Sequence, residues 1–167
     1  MITILEASVN DIQAIQNIAS ITWPITYGKI LSKAQLEYML ELIYSDEALM
    51  FQINKKEQLF FLIRDVEETI GFFSIENNYK NEAITKINKL YLLPETQGKG
   101  FGKKVIEIIE KLALRNNATK LSLNVNKFNS ALSFYQKIGF KIIEEVNIDI
   151  GRGYLMEDFV MEKELCN

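Results

Sequence analysis

The sequence predicts an α/β fold, in the α+β sense, with a central, mixed and mostly antiparallel sheet of about seven strands flanked by about four helices. Two observations predict it. Strand-like and helical runs follow the order βα, α, βββ, α, β, α, ββ, and the three successive strand-like runs indicate an antiparallel meander. The 167 residues, 48% of them hydrophobic, suffice for one core, and no linker or repeat separates a second one. We therefore expect a single domain over residues 1–167.

The N-terminal part reads as one strand followed by helices. "ITILEA" has strand character, and "SVNDIQAIQNIASITW" repeats apolar residues with a helical period, with Ser8 and Asp11 spaced as a capping box. Pro24 and Gly28 predict the end of this first helix. Ser32 caps a second helical run, "KAQLEYMLELIY", and "DEALMFQI" can continue it. The sequence therefore places a helical pair before the next strand.

The rest of the chain alternates strands with two more helices. "QLFFLIRDV", "TIGFFSIEN" and "AITKINKLYLL" are the three strands of the meander. A helix with one apolar stripe runs from Phe101 to about Asn116. "TKLSLNV" is a strand, "NSALSFYQKI" is a short helix stopped by Gly139, and "FKIIEEVNIDI" and "FVMEKEL" are the last two strands.

Composition excludes several classes of function. The net charge is −3, and no basic block suits a nucleic acid. The chain has no histidine, so a metal site is not expected, and proton transfer falls to carboxylates, tyrosines or water. Cys166 is the one cysteine, which favours the cytoplasm. Neither a signal segment nor a run of eighteen apolar residues is found, so we expect no membrane association.

The stretch "LPETQGKGFGKK" places three glycines and three lysines between a strand and a helix. It lacks the Ser or Thr of a P-loop after Gly102-Lys103, and Lys103 stands where the dinucleotide fingerprint needs its third glycine. Backbone N–H groups at the start of a helix bind anions. Lysines in a first helical turn oppose the helix dipole unless an anion lies between them. The pattern therefore indicates an anion site, and the alternative is a solvated flexible turn.

Three motifs together resemble a known family. Gln97-x-x-Gly100-x-Gly102, preceded by "KLYLLP" and followed by "NSALSFYQKIGF", resembles the acetyl-coenzyme A (acetyl-CoA) signature of the GNAT superfamily of N-acetyltransferases. The resemblance covers roughly residues 57 to 165. The wording "KLYLLPETQGKGFGKK" looks most like the bacterial polyamine acetyltransferase branch, of the spermidine/spermine acetyltransferase type.

The resemblance implies a binding site for acetyl-CoA. It implies that N–H groups from Gly98 to Lys103 bind the pyrophosphate and that Gln97 braces the turn; the loop residues are Gln97, Gly98, Lys99, Gly100, Phe101, Gly102 and Lys103. It further implies that the backbone of Leu90, Tyr91 and Leu92 pairs with the pantetheine amides like an added strand. The N–H of Leu92 would then stabilise the thioester oxygen as negative charge develops.

The short helix after "LSLNV" carries the family's Asn-x-Ala-x-x-x-Tyr pattern as Asn129, Ala131 and Tyr135. The resemblance implies that Tyr135 gives its proton to the departing thiolate and that Lys137 can reach the coenzyme 3′-phosphate. The alternatives are a core aromatic for Tyr135 and a solvated lysine for Lys137. Asn129 caps the helix in either case.

The proton acceptor and the amine site are less specified. Relatives use a carboxylate on the fourth strand, but "AITKINKLYL" contains none, so Glu76 at the end of "GFFSIE" is the replacement candidate. Its alternative is an exposed strand-end carboxylate. Trp23 and Tyr27, together with Tyr38, can line the acceptor pocket or belong to the core. Seven acidic residues between positions 144 and 164 would attract a cationic substrate.

The leading hypothesis is an acetyl-CoA-dependent N-acetyltransferase that acts directly on a primary amine of a small, polyamine-like molecule. The alternatives are acetylation of a protein N-terminus or lysine, and a regulatory module that binds an acyl-CoA without turnover. The expected partners are a small amine and, through the terminal strands, a second copy in a homodimer. Neither nucleic acid nor membrane is expected.

Overall fold

The strands form one sheet of seven, in a computed structural model that describes residues 1–166. They are β1 (Ile2–Glu6), β2 (Leu59–Asp65), β3 (Glu68–Glu76), β4 (Ile84–Leu92), β5 (Lys120–Asn126), β6 (Lys141–Asp149) and β7 (Leu155–Glu164). The order in the sheet is β1-β2-β3-β4-β5-β7-β6. β4 and β5 are parallel, whereas β1–β2, β2–β3, β5–β7 and β6–β7 are antiparallel. The predicted mixed, mostly antiparallel sheet is confirmed.

Five α-helices accompany the sheet in the described part of the chain. They are α1 (Ile12–Tyr27), α2 (Lys33–Tyr44), α3 (Asp46–Lys55), α4 (Phe101–Arg115) and α5 (Ala131–Lys137). The segment "DEALMFQI" forms a helix of its own because Ser45 has an extended backbone. The side chain of Ser45 accepts a hydrogen bond from the N–H of Ala48, which starts α3 there.

The start of the first helix follows the sequence, and its end follows the sequence at Gly28 but not at Pro24. Ser8 and Asp11 form the predicted capping box around a 3₁₀ turn that leads into α1. The expected break at Pro24 is wrong, because α1 continues through it to Tyr27. Proline removes one helical N–H, but its carbonyl still accepts from Gly28 N–H at 2.9 Å. Burial of Tyr27 beyond the proline also holds this last turn in place.

Residues group into two compact units by their contacts. The N-terminal unit comprises Met1–Glu76 and Asn88–Glu107, and the C-terminal unit comprises Asn77–Ile87 and the chain from Ile108 onward. β4 and α4 each contribute residues to both units. The single domain expected from the sequence stays a prediction.

The N-terminal unit buries one face of α1 together with inward side chains of its strands. Ile15, Ile18 and Ala19 of α1 follow the helical period and are 0 to 4% exposed. Phe60 and Phe72, on the paired strands β2 and β3, are also buried. This core is where the predicted apolar stripe of the first helix lies.

The C-terminal unit is built around β5. The first half of β4 pairs with β5 from Ile84↔Lys120 to Ile87↔Leu123, and β7 pairs with β5 as far as Asn126↔Asp158. β6 follows at the edge of the sheet, and eight of its nine residues are exposed. The polar end of β5, from residue 124 to 126, therefore extends three residues beyond the last β4–β5 pair.

Candidate active site

The glycine loop joins β4 to α4 in the conformation that its glycines permit. Gly98 and Gly100 have φ angles of 76° and 74°, in the left-handed region. A Cβ atom added at either residue would meet nothing within 4 Å, so the loop backbone is open on that side. Lys99 and Lys103 are exposed on either side of the start of α4. This arrangement fits a phosphate group, because bare backbone and helix N–H groups can approach the anion without side-chain obstruction.

The strand that precedes the loop lies unusually close to its neighbour. A Cβ atom added at Gly71 of β3 would lie 2.5 Å from the Tyr91 carbonyl oxygen and 2.7 Å from Cδ2 of Leu92. Leu93 N–H donates to the Ile70 carbonyl at 2.8 Å, just beyond the end of β4. Gly71 thus fixes the strand residues 90–92 that are predicted to receive the pantetheine arm.

Two of the three aromatic residues predicted to line the amine pocket, Trp23 and Tyr27, are buried in one aromatic cluster. Trp23 is 3% and Tyr27 is 8% exposed. The ring of Trp23 lies 4.6 Å from that of Tyr27, 5.6 Å from Tyr44 and 5.9 Å from Tyr91. Trp23 Nε1 donates to the Tyr44 hydroxyl at 3.2 Å, and desolvation by burial raises the pKa of Tyr44. This placement agrees with the core alternative, and a substrate-binding role for Trp23 and Tyr27 stays a prediction.

Lys89 lies in β4, the strand on which the family resemblance implies a carboxylate. Its ammonium donates to the side-chain oxygens of Gln52 at 2.8 Å and Gln58 at 2.9 Å. It also lies 5.2 Å from the centre of the Phe60 ring. Desolvation by burial lowers the pKa of Lys89 to about 8. The Lys89 ammonium is therefore held by neutral amide and aromatic groups.

The predicted proton acceptor Glu76 is the last residue of β3 and is half-buried. It belongs to the N-terminal unit, as do the glycine loop and residues 90–92. Its role stays a prediction.

Helix α5 carries the second half of the predicted site, in the C-terminal unit. The N-cap of this helix is Ser130 and not the predicted Asn129, but the Asn129 side chain accepts a hydrogen bond from Ala131 N–H at 2.9 Å. The half-buried ring of Tyr135 lies 5.2 Å from that of Phe134 and 5.6 Å from that of Phe140. Lys137 is exposed. The aromatic neighbours set the orientation of the Tyr135 ring.

Two lysines, Lys120 at the start of β5 and Lys127 just after its end, reduce the negative charge predicted for the last two strands. Lys127 lies 3.0 Å from both Glu145 and Glu157. Lys120 lies 3.3 Å from Glu162 and 3.2 Å from Glu164. Both cations lie outside residues 144–164, so the count of charges within that stretch does not include them. The attraction for a cationic substrate is weaker than the residue count suggests.

Sequence reasoning missed a polar network inside the C-terminal unit. Lys86 of β4 and Asp158 of β7 are 6% and 7% exposed. The Lys86 ammonium donates to the Asn124 side-chain oxygen, and the Asn124 side chain hydrogen-bonds the Asp158 carboxylate. We call these three residues the Lys86–Asn124–Asp158 network. Alternation along β7, in which Met156 and Asp158 are buried, was the signal that could have identified Asp158 as an inward residue.

The described residues contain neither a candidate metal site nor a helix that could span a membrane. Within residues 1–166, no cluster of three or more Cys, Asp or Glu side chains could hold a metal ion. In the same range, no helix is long and apolar enough to cross a bilayer.

Comparisons with known proteins match this chain to acetyltransferases. Residues 29–157 match the family model described as acetyltransferase (GNAT) domain. A spermidine N(1)-acetyltransferase of Thermoplasma acidophilum is 30% identical over 98% of this chain and 97% of its own length. The peptidyl-lysine N-acetyltransferase YjaB of Salmonella typhimurium is 28% identical over 65% of this chain and 68% of its own.

A solved structure shows the same fold. The crystal structure of the PaiA N-acetyltransferase of Thermoplasma acidophilum in complex with coenzyme A has a TM-score of 0.81. It is 28% identical to this chain and covers 98% of it and 99% of the solved chain. The conformation of the glycine loop and these similarities therefore point to one family.

Proposed function

The chain belongs to the GNAT acetyltransferase family, and from this premise we propose that it transfers an acetyl group from acetyl-CoA to a primary amine of a small, polyamine-like molecule. As a GNAT N-acetyltransferase, it is a transferase with acetyl-CoA as co-substrate. The observation that carries the proposal is the loop from Gln97 to Gly102, whose two left-handed glycines leave open backbone ahead of a fifteen-residue helix.

We assign the coenzyme to the residues that the family pattern implies. The N–H groups from Gly98 to Lys103 hold the pyrophosphate, and the exposed lysines 99 and 103 neutralise it. The backbone of residues 90–92 pairs with the pantetheine amides, supported by the close approach of Gly71. Asn129 keeps the start of α5 in place, and Lys137, exposed at its end, is available to the 3′-phosphate.

Two residues stabilise the charge that develops during the transfer. The Leu92 N–H is the proposed donor to the thioester oxygen, which gains negative charge as the amine attacks. The Tyr135 hydroxyl is the proposed proton donor to the departing thiolate. A phenol with a pKa of about 10 can protonate a thiolate whose conjugate acid has a pKa of about 8.5 once the two are in contact. Ring contacts with Phe134 and Phe140 support this role because they restrict the rotamers of Tyr135.

The choice of a small polyamine rests on a relative that matches along almost the whole chain. That relative is named a spermidine acetyltransferase, and its similarity spans 98% of this sequence. The acidic residues of β6 and β7 add a weaker attraction for cations, since lysines 120 and 127 offset part of their charge. The second candidate is acetylation of peptidyl lysine, which the partial match to YjaB favours.

We also predict a cytoplasmic location, from the cysteine content, and a homodimer formed at the outer edge of the sheet. Ile142 and Ile143 on β6 are 41% and 54% exposed there, and an edge strand with apolar side chains can pair with a second copy. Light scattering coupled to gel filtration measures the mass directly. A monomer at all concentrations up to about 100 µM, a range that would reveal even weak dimers, would contradict the dimer.

Thiol release from acetyl-CoA tests the function. The purified protein is assayed at mildly alkaline pH with spermidine, spermine, amino acids, aminoglycosides and lysine peptides as acceptors. We expect release with spermidine or a related amine. Release only with lysine peptides would favour the second candidate, and coenzyme binding without release for any acceptor would indicate a binding module.

Variants of two tyrosines separate catalysis from folding. Tyr135→Phe should lower kcat by about 10²-fold or more while the Kd for acetyl-CoA, measured by calorimetry, stays within about twofold. Tyr154→Phe, in the turn between β6 and β7, is the matched control and should retain wild-type kcat. Full activity of Tyr135→Phe would exclude Tyr135 as the proton donor.

A further inference from the structure

The Lys86–Asn124–Asp158 network includes one carboxylate oxygen that is buried and unsatisfied. Oδ1 of Asp158 has no hydrogen-bond partner among residues 1–166, although the residue is only 7% exposed. Building on the proposed function, we propose that the Asp158 carboxylate accepts the proton that the substrate amine loses before it attacks the thioester.

The reaction requires a proton acceptor, and the chain offers few buried groups that can serve as one. A primary aliphatic amine is protonated at neutral pH and becomes a nucleophile only after it loses a proton. The sequence contains no histidine, so a carboxylate is the natural acceptor. Among residues 1–166, Asp158 is the one Asp or Glu whose side chain is buried.

The free oxygen determines what kind of group can bind there. A buried acceptor without a donor is costly, and a donor that arrives with the substrate removes this cost. Oδ1 is an acceptor, and an ammonium group brings three N–H donors and a positive charge. Such a group therefore satisfies Oδ1 and is held by the carboxylate to which it gives its proton.

The surroundings tune the basicity of the carboxylate. Desolvation by burial raises the pKa of Asp158, while the hydrogen bond from Asn124 and the positive charge of Lys86 oppose this rise. A more basic carboxylate is a better proton acceptor, and the cation keeps it ionised when the amine arrives. The residues opposite Asp158 in the neighbouring strands are Asn126 of β5 and Val146 of β6, and neither carries a charge.

Asp158 also lies at a suitable place in the fold. It faces Asn126, the last residue of β5, three residues beyond the last β4–β5 pair at Ile87↔Leu123. The chain continues from there into α5, which carries Tyr135, the proposed proton donor. Asn126 is itself fixed, because its Oδ1 accepts from the N–H of Phe128 at 3.0 Å. Pairing with this end of β5 thus holds Asp158, the proposed proton acceptor on β7, in a rigid part of the sheet.

The proton and bond balance is complete with these groups. Asp158 takes one proton from the ammonium, and the resulting amine forms a C–N bond to the thioester carbonyl carbon. The C–S bond breaks, and the thiolate takes a proton from Tyr135. The new amide nitrogen loses its second proton, which returns to Tyr135, and Asp158 releases its own to solvent. The net products are an N-acetylated amine, free coenzyme thiol and one proton.

The test measures kcat and KM for spermidine between pH 6.5 and 9.5 in wild type, Asp158→Asn and Asp158→Glu. For Asp158→Asn we expect kcat/KM to fall by about 10²- to 10⁴-fold. The part of the pH dependence of kcat/KM that reflects titration of Asp158 should disappear. The Kd for acetyl-CoA should stay within twofold. Asp65→Asn, at the exposed end of β2, is the matched control and should keep wild-type kinetics.

The kinetics of these variants decide the matter. Asp158→Asn with kcat/KM within threefold of wild type would overturn the inference, and so would an increase in KM alone with unchanged kcat, which marks a cation anchor. If Asp158→Asn lacks the wild-type circular dichroism spectrum, Asp158→Glu decides: a reduced kcat with unchanged KM supports the inference, and wild-type kcat overturns it.

Loss of turnover in Glu76→Gln, with Asp158→Asn active, would assign the role of proton acceptor to Glu76. A wild-type protein that releases no thiol with any amine would instead refute the proposed function itself, and the inference with it.

Discussion

The hydroxyl oxygens of Tyr27 on α1 and Tyr91 on β4 lie 3.1 Å apart within the N-terminal unit. The same two rings both contact Trp23. The first helix is therefore joined to the strand whose residues 90–92 are proposed to receive the pantetheine arm. A hydrogen bond between two largely buried phenols fixes their relative orientation as well as their distance.

The Tyr27–Tyr91 pair should show energetic coupling. Removing either hydroxyl loses the same hydrogen bond, so each of Tyr27→Phe and Tyr91→Phe should lower the free energy of unfolding by about 1 kcal/mol. The double variant should lose less than the sum of the two, with a coupling of about 0.5–1.5 kcal/mol. Urea denaturation of the four proteins measures this cycle. Strict additivity would mean that the hydroxyls do not interact in solution.

Gly100→Ala should impair coenzyme binding beyond its effect on folding. Gly100 and Gly153 both have left-handed backbone, with φ of 74° and 77°, and open space around the missing Cβ. Alanine at either position should therefore lower the free energy of unfolding by a similar amount, roughly 1–2 kcal/mol. Only Gly100→Ala places a methyl group on the loop that we assign to the pyrophosphate.

Calorimetry with acetyl-CoA separates these effects. We expect the Kd of Gly100→Ala to rise by about tenfold or more, as for the loss of one charge-assisted hydrogen bond, and that of Gly153→Ala to stay at the wild-type value. Equal affinities for both variants would refute the assignment of the loop.

Lys89 should make stability depend on alkaline pH. Its pKa is about 8 in the folded protein and 10.5 as the ordinary value. Between these values the unfolded chain binds more protons than the folded one, so the contribution of Lys89 to stability rises with pH. Below pH 8 the buried ammonium imposes its full penalty, at most about 3 kcal/mol.

Lys89→Met removes this titration. From pH 7 to pH 10, the unfolding free energy of wild type should rise relative to that of Lys89→Met by up to about 3 kcal/mol. Lys103→Met, an exposed lysine at the start of α4, is the matched control and should run parallel to wild type. A constant difference between wild type and Lys89→Met over this range would contradict the lowered pKa.

Lys127→Gln should strengthen the attraction for a cationic substrate. Lys127 pairs with Glu145 and Glu157, and the hydrogen bonds that it donates to Glu157 and Glu145 raise its pKa. Without the Lys127 ammonium, the carboxylates of Glu145 and Glu157 both attract the approaching cationic amine. The KM for spermidine at low salt should fall by about two- to fivefold, and the difference should vanish near 1 M salt because of screening. An unchanged KM at low salt would show that β6 and β7 do not attract the substrate.

Local patterns in the sequence predicted much of the fold. The capping box of Ser8 and Asp11, the strand that ends before Pro94 and the helix that starts at Phe101 all depend on residues within a few positions of one another. Local rules failed at Pro24, where the burial of Tyr27 one turn later sustains the helix. A contact with distant parts of the chain decided the outcome there.

The sequence by itself determined the glycine loop, because only glycine adopts the left-handed backbone of positions 98 and 100 without strain, and the motif spacing identified the family. The tertiary structure alone decided the electrostatics. Burial among residues that include Gln52 of α3 and Gln58 just before β2 lowers the pKa of Lys89, and Lys120 and Lys127 neutralise glutamates that lie 18 or more residues away. Asp158, one of seven acids in a charged stretch of sequence, becomes a buried carboxylate only when β7 pairs with β5. Charge interactions depend on distance and burial in space, and spacing along the chain encodes neither.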